Sequence, residues 1–411
     1  MVEEAERLGG HDEGAPLQVA LVVFEWFPHG GLQRDLLAVA EALAASNGAG
    51  PRADVTVLCM HWSGPRPEGV DVVELPARGW SAVRRRTRFV REVGRRIGDF
   101  DRVVGFQRMP GLDVYFAADP CFHAKAFGAR GALYRLAPRT RQYLAWERAV
   151  FAPEAHTRIL LLSPRQRREY QAAYGTPEAR LVELAPGIDP AFAGVSVGAA
   201  RGEARREVRA ELGIPPGARV VVQVGLANRT KGFDRTLAAL GALPAELAAR
   251  THFVHVGAGG GQALGDSQGL SGSSGSDKPS TPATLGGAHA LGTRDDVPQL
   301  MAAADLLVHP SRSEAAGKVL VEALASGLAV LTTEESGYAY HVVKAGAGHV
   351  CSEPFQQAEL DAALARLVAL PTGELDTLRG AARRYAETLD LHSQADAVAQ
   401  AILEADSSAG Q

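Results

Sequence analysis

Two glutamates separated by seven residues, Glu314 and Glu322, form the most chemically suggestive constellation in this sequence. They belong to the stretch Pro310-Ser-Arg-Ser-Glu314-Ala-Ala-Gly317-Lys-Val-Leu-Val-Glu322. An apolar run that reads as a strand ends at His309, and Gly317 precedes a run with helical periodicity. A helix start offers backbone N–H groups without intrahelical partners and the positive end of the helix dipole, which suits a phosphate. The amides of Ala316, Gly317, Lys318 and Val319 are the candidates here. Carboxylates on either side of such a cradle can grip hydroxyl-rich rings flanking a phosphate. The alternative is that Glu314 caps the helix and Glu322 is a surface group. The apolar neighbours Val321 and Ala323 argue against that alternative.

Two further loops follow apolar strand-like runs. The run ending Val224-Gly225 leads into Leu-Ala-Asn-Arg229-Thr-Lys231, where two cations could reach one phosphate, or simply be solvated. The run Val19–Phe24 leads into Gly30-Gly31 and then a helical pattern. Two glycines permit positive φ and close backbone approach. Asp35, one helical turn further on, either complements the helix dipole or meets a sugar hydroxyl. Two other motifs fail on context. Val256-Gly-Ala-Gly-Gly-Gly261 is followed by Gln262 and a Gly/Ser-rich stretch instead of a helix, so it is no dinucleotide fingerprint. Asp99-Phe-Asp101 precedes its strand and falls at the amino end, away from ligands, so metal-independent chemistry is expected.

The elements that must position these residues alternate. Short β-branched runs at 54–59, 70–75, 102–106 and 157–162 are interleaved with helical patterns. The alternation restarts at 219–225, 252–257, 304–309 and 328–332. This predicts two α/β domains, each with a doubly wound parallel sheet. The expected boundaries are a disordered extension over 1–16, a first domain over 17–187 and a second domain over 188–385. A terminal helix over 386–411 is expected to pack back on the first domain. Residues 258–287 read as a flexible loop at a strand's carboxyl end.

With 411 residues and 46% hydrophobic content, the chain can fill two cores. No apolar run reaches membrane-spanning length, and the N-terminus lacks the order of a secretory signal. Cys59, Cys121 and Cys351 lie far apart, without metal or redox spacing, which points to free thiols in a reducing cytoplasm. The net charge of −4 conceals an asymmetry: residues 84–168 carry 19 basic and 7 acidic residues, leaving the remainder strongly acidic. Such a block either attracts anionic partners or is a solvated arginine-rich face.

Together these residues resemble the retaining GT-B glycosyltransferases with a Glu-x7-Glu signature, and more narrowly the lipopolysaccharide core (heptose I) glucosyltransferases. The narrower resemblance rests on Phe27-Pro-His-Gly-Gly-Leu-Gln-Arg-Asp35, Met109-Pro-Gly-Leu-Asp-Val-Tyr-Phe-Ala-Ala-Asp119, Leu133-Tyr-Arg-Leu and Met301–Pro310. It implies UDP-glucose as donor, a lipopolysaccharide inner-core heptose as acceptor, an α-1,3 linkage, and no cofactor or metal. By position, Gly30 and Gly31 would contact the diphosphate and Asp35 would lie near the transferred sugar. Lys231 would neutralise the diphosphate, with Arg229 assisting. Glu314 would meet the glucose hydroxyls and Glu322 the ribose, Arg294 would border the uracil, and Asp113 would lie on the acceptor side. The leaving diphosphate itself would take the acceptor's proton.

Two departures accompany the resemblance. Leu226 stands where the family usually has an arginine, and Arg229 is the candidate replacement. The 258–287 loop replaces a helical stretch and retains only Asp277-Lys-Pro279. The acceptor gives the basic block a partner. Lys125, Arg130, Arg135, Arg139, Arg141 and Arg148 alternate with Phe122, Phe127, Tyr134, Tyr143 and Trp146, a pattern suited to peripheral contact with the anionic cytoplasmic face of the inner membrane. The rival readings are a GT-B transferase of exopolysaccharide assembly with another donor or acceptor, and a non-catalytic nucleotide-sugar-binding protein. Nucleic-acid binding is disfavoured by the paired sugar-site carboxylates.

Overall fold

A computed structural model of the chain describes residues 16–28, 30–45, 52–128, 131–195, 198–264 and 285–405. The expected N-terminal extension and most of the 258–287 loop lie outside the described residues. The chain divides into two compact units. The first comprises residues up to 161, 167–184 and from 395 onward, and the second 162–166 and 185–394.

The first unit holds a seven-stranded sheet made of β1 (Leu17–Val22), β2 (Ala53–Cys59), β3 (Val70–Glu74), β4 (Arg102–Gly105), β5 (Val114–Phe116), β6 (Arg158–Leu161) and β7 (Leu181–Glu183). The order is β3-β2-β1-β4-β5-β6-β7, and every pairing is parallel. Helix α1 (Gly31–Ala44) follows β1, and α2 (Pro138–Phe151) leads to β6. Because helices cover both faces, β1 is apolar through Val19, Ala20, Leu21 and Val22, all fully buried. Residues near the C-terminus complete this unit: the Arg158 guanidinium donates to the Ala401 carbonyl at 3.3 Å, and Arg52 donates to Gln400 at 2.9 Å.

The second unit has six parallel strands: β8 (Arg219–Val224), β9 (Thr251–Val256), β10 (Gly287–Ala290), β11 (Leu306–His309), β12 (Ala329–Thr333) and β13 (Gly348–Cys351). Their order is β10-β9-β8-β11-β12-β13. Around them lie α3 (Gly198–Glu211), α4 (Phe233–Gly241), α5 (Lys318–Ala325) and α6 (Gln357–Ala369). Strand order reverses beside β1 in the first sheet and between β8 and β11 in the second. At such a switch point the connecting helices leave on opposite faces and open a crevice at the strands' carboxyl ends. The Gly30-Gly31 loop follows β1, the Lys231 loop follows β8, and the Glu314 loop follows β11.

The amino ends of the two sheets are tied by the same device. Asp113 precedes β5 and accepts the Val103 N–H at 2.7 Å, while Asp305 precedes β11 and accepts the Val220 N–H at 2.8 Å. Each carboxylate therefore satisfies a strand's first buried donor. This corrects the expected acceptor-side role of Asp113, which is buried at the end of the sheet opposite the glycine loop.

Candidate active site

In the second unit, two loops converge at the switch point. Lys231 Nζ and His309 Nε2 both hold the Glu314 carboxylate, the histidine at 2.6 Å. The Glu314 side chain is only 8% exposed. Burial pushes its pKa up, but His309 and Lys231 outweigh this and keep it ionised, well below the usual carboxylate range. His309 Nδ1 is buried without a hydrogen-bond partner, so a neutral ring must carry its proton on Nε2, aimed at Glu314.

The sequence folds this way for local reasons. Asn228 Oδ1 accepts the Lys231 N–H at 3.0 Å and closes the turn. Gly232 comes so close to the Pro310 carbonyl that a Cβ there would lie 1.9 Å from its oxygen. Only glycine lets the Lys231 loop meet the Glu314 loop. Arg312, missed in the sequence reading, locks the two loops together. Its backbone N–H donates to the Thr230 carbonyl at 2.8 Å, and its guanidinium grips Asp234 with contacts of 2.7 and 2.8 Å. The bidentate geometry is the signature of a positioning pair.

Gly317 is the N-cap of α5, at φ 86° and ψ 55°, a left-handed conformation that suits glycine. This turn lets the chain bend from Glu314 into the helix and leaves the first α5 amides, at Lys318 and Val319, without i−4 carbonyls. The Tyr338 N–H fixes the preceding loop by donating to the Ala316 carbonyl at 2.7 Å. Lys318 Nζ turns to Gln394 Oε1 at 3.1 Å, so its available contribution is its backbone amide. Glu322 lies in the second turn of α5, half-buried. Glu314, held by Lys231 and His309, thus lies on the loop that turns into the start of α5.

Two expected members stand apart. Arg229 is 85% exposed, with Asp234 at 4.0 Å, and does not join Lys231 at Glu314. Arg294 is bidentate on Asp296 at 2.7 and 2.6 Å and reaches Glu211 at 3.0 Å. These partners raise its pKa and tie it to the turn that starts the helix Val297–Ala303.

In the first unit, Gly30 and Gly31 open α1, but neither has positive φ. At Gly30 a Cβ would instead strike the Gln33 and Phe27 side chains, which would have to shift. At Gly31 a Cβ would meet nothing within 4 Å, so its face is open to a ligand. Asp35 is half-buried in the second turn. Beside this loop is a cavity of about 230 Å³ lined by Phe24, Glu25, Phe27, Gln33, Arg86, Gln107, Asp119 and Tyr143. Its walls are fixed: the Phe24 N–H donates to Gln107 Oε1 at 2.8 Å, and Gln33 Nε2 donates to the Glu25 carbonyl at 3.0 Å. Arg108, held by the buried Glu147, lies 3.5 Å from Asp119. Asp119 and not Asp113 is therefore the carboxylate of the Met109–Asp119 stretch at the carboxyl end of β5. Its place just past the strand was the available signal.

The basic block is divided. Arg108, Arg158, Arg165 and Arg167 are consumed by internal pairs, and Trp146, expected at a surface, is core. Leu133 and Leu136 are instead 84% and 69% exposed, with Phe127 also open. Arg130 lies outside the described residues.

Two doubly wound parallel sheets, with a lysine–carboxylate pair beside a helix start, fit the GT-B class of glycosyltransferases. A family model for "Glycosyl transferases group 1" matches residues 204–387. The chain is 35% identical over 393 residues to "Lipopolysaccharide glucosyltransferase WaaG" of Escherichia coli K12, covering 93% of this chain and 98% of that one. The crystal structure of WaaG, a glycosyltransferase involved in lipopolysaccharide biosynthesis, superposes with a TM-score of 0.81 at 34% identity, over 93% and 99% of the two chains. Anabaena Alr3699/HepE in complex with UDP-glucose matches in fold alone, with a TM-score of 0.65 at 17% identity over 94% and 98% of the chains. This chain belongs to the group 1 glycosyltransferases, alongside WaaG.

Proposed function

We propose that this protein transfers glucose from UDP-glucose to a heptose of the lipopolysaccharide inner core, with retention through an α-1,3 linkage and without a metal. The observation that carries the reading is the Lys231–Glu314–His309 grip beside the α5 amides, on a chain similar to WaaG over nearly its full length. Lys231 and the positive end of α5 offer charge to a leaving diphosphate, the role a divalent cation plays elsewhere. Glu314 then accepts sugar hydroxyls and Glu322 the ribose. The diphosphate, fixed on one face of the sugar, takes the acceptor's proton, and the protein contributes orientation and charge stabilisation. The acceptor ring is assigned to the cavity beside Asp119, whose carboxylate and neighbouring Glu25 and Gln107 suit hydroxyl groups.

Work at the cytoplasmic face of the inner membrane follows from a lipid-anchored acceptor. No described helix is long and apolar enough to cross a membrane. Exposed Leu133, Leu136 and Phe127 near Lys125, Arg135, Arg139 and Arg141 favour peripheral attachment. Sedimentation with liposomes tests this, since equal binding to neutral and anionic vesicles would contradict the electrostatic part.

The function is tested by incubating the protein with a panel of nucleotide sugars and heptose-terminated core, then weighing the products. A mass gain of one hexose with UDP-glucose alone is expected. Transfer only from another donor would overturn the donor assignment, and donor binding without any product would favour a non-catalytic binder.

A further inference from the structure

We propose that His349, Cys351 and Glu359 form a site for a divalent transition-metal ion, with zinc the best match to the donors, separate from the glycosyl-transfer residues. The ligand atoms of the three residues all lie within 4.8 Å of one another, and His349 Nε2 is 3.1 Å from Glu359 Oε1. Ligands bound at roughly 2.0–2.3 Å around tetrahedral zinc sit about 3.3–3.8 Å apart, so small side-chain shifts complete the geometry.

The fold builds this arrangement from three positions. His349 and Cys351 are two apart on β13 and so share one side of the strand. Glu359 comes from the first turn of α6, which packs against it. The Glu359 carboxylate is already oriented, because Ser352 Oγ donates to its Oε2 at 2.8 Å and the Ser352 N–H at 3.1 Å. Such outer contacts are what hold a ligating carboxylate in place. The thiol is buried, while His349 and Glu359 are each 29% exposed, which provides an entry path. A thiolate, an imidazole and a carboxylate together favour zinc over magnesium or calcium, and leave a fourth position for water. On binding, the Cys351 S–H bond breaks, an S–metal bond forms, and the proton passes to solvent.

The site would act as a clamp. The Cys351 carbonyl accepts the Glu334 N–H at 3.1 Å, and the neighbouring Glu335 carbonyl accepts the Glu314 N–H at 3.1 Å. Metal binding therefore pins the strand end that supports the Glu314 loop.

The test is a titration of the chelator-treated full-length protein with cobalt(II) chloride. One equivalent should produce a thiolate-to-cobalt charge-transfer band that zinc chloride abolishes by displacement. Cys351→Ser should lose the band, while Cys121→Ser should retain it. Because Cys351 lies in the core, His349→Ala and Glu359→Gln give an independent reading, each weakening cobalt binding by tenfold or more. No band in the unaltered protein, or affinity unchanged in both of these variants, overturns the proposal.

Discussion

Lys231 and Glu314, 83 positions apart in sequence, form an ion pair in which His309 holds the second carboxylate oxygen. Lysine and glutamate therefore neutralise each other. On the proposed function, a donor supplies a replacement for each, phosphate oxygens for the lysine and sugar hydroxyls for the carboxylate. Lys231→Ala should lower kcat by about 10²–10³-fold, the scale for losing one charge-stabilising group at a developing anion. Steady-state transfer kinetics check this, and near-normal turnover would sink the assignment.

The two glycines that open α1 should separate fold from function. Gly30→Ala forces a Cβ into the Gln33 side chain and should destabilise the first unit by about 1–3 kcal/mol. Gly31→Ala meets nothing and should unfold like the parent, yet transfer more slowly if a phosphate approaches that face. Denaturant unfolding and kinetics on the same preparations test the pair, and a fall in stability for Gly31→Ala would contradict the steric account.

Asp113 should behave as a structural residue. Asp113→Ala leaves the buried Val103 N–H without its side-chain acceptor and should cost about 1–3 kcal/mol. The KM for acceptor should be unchanged in the folded fraction. In contrast, Asp119→Asn should raise that KM with little loss of stability. The opposite pattern would restore Asp113 to the acceptor site.

Asp305 should shape the acid limb of stability. Burial pushes its carboxyl pKa up, but Arg205, Arg379, the Val220 N–H and Arg209 overcome this and hold it low. A folded-state pKa below the unfolded value of about 3.9 means the contribution is complete above that pH and is lost as pH falls through the folded value. Asp305→Asn should cost about 3–5 kcal/mol at neutral pH by leaving buried arginines uncompensated, and should flatten the decline in Tm below about pH 4. Thermal unfolding across pH 3–7 measures both effects.

The sequence alone determined a great deal. Alternating β-branched and helical periodicities specified two parallel α/β units, because a strand buried on both faces must be apolar throughout, as β1 is. The Gly317 turn into a helix carrying Glu322 was legible, because such a turn is local in the chain. Short strands were missed: β10 (Gly-Ala-His-Ala) has no β-propensity and forms only because β9 offers an edge to pair with. Tertiary structure alone decided which charges meet. It gave Lys231 to Glu314, withdrew Arg294 to Asp296, moved Asp113 to the structural end of its sheet, and gathered His349, Cys351 and Glu359 into one cluster. The physical reason is that periodicity reports which side of an element faces the core. Pairing between charged groups depends on how loops from separate strands converge, and that is set by packing.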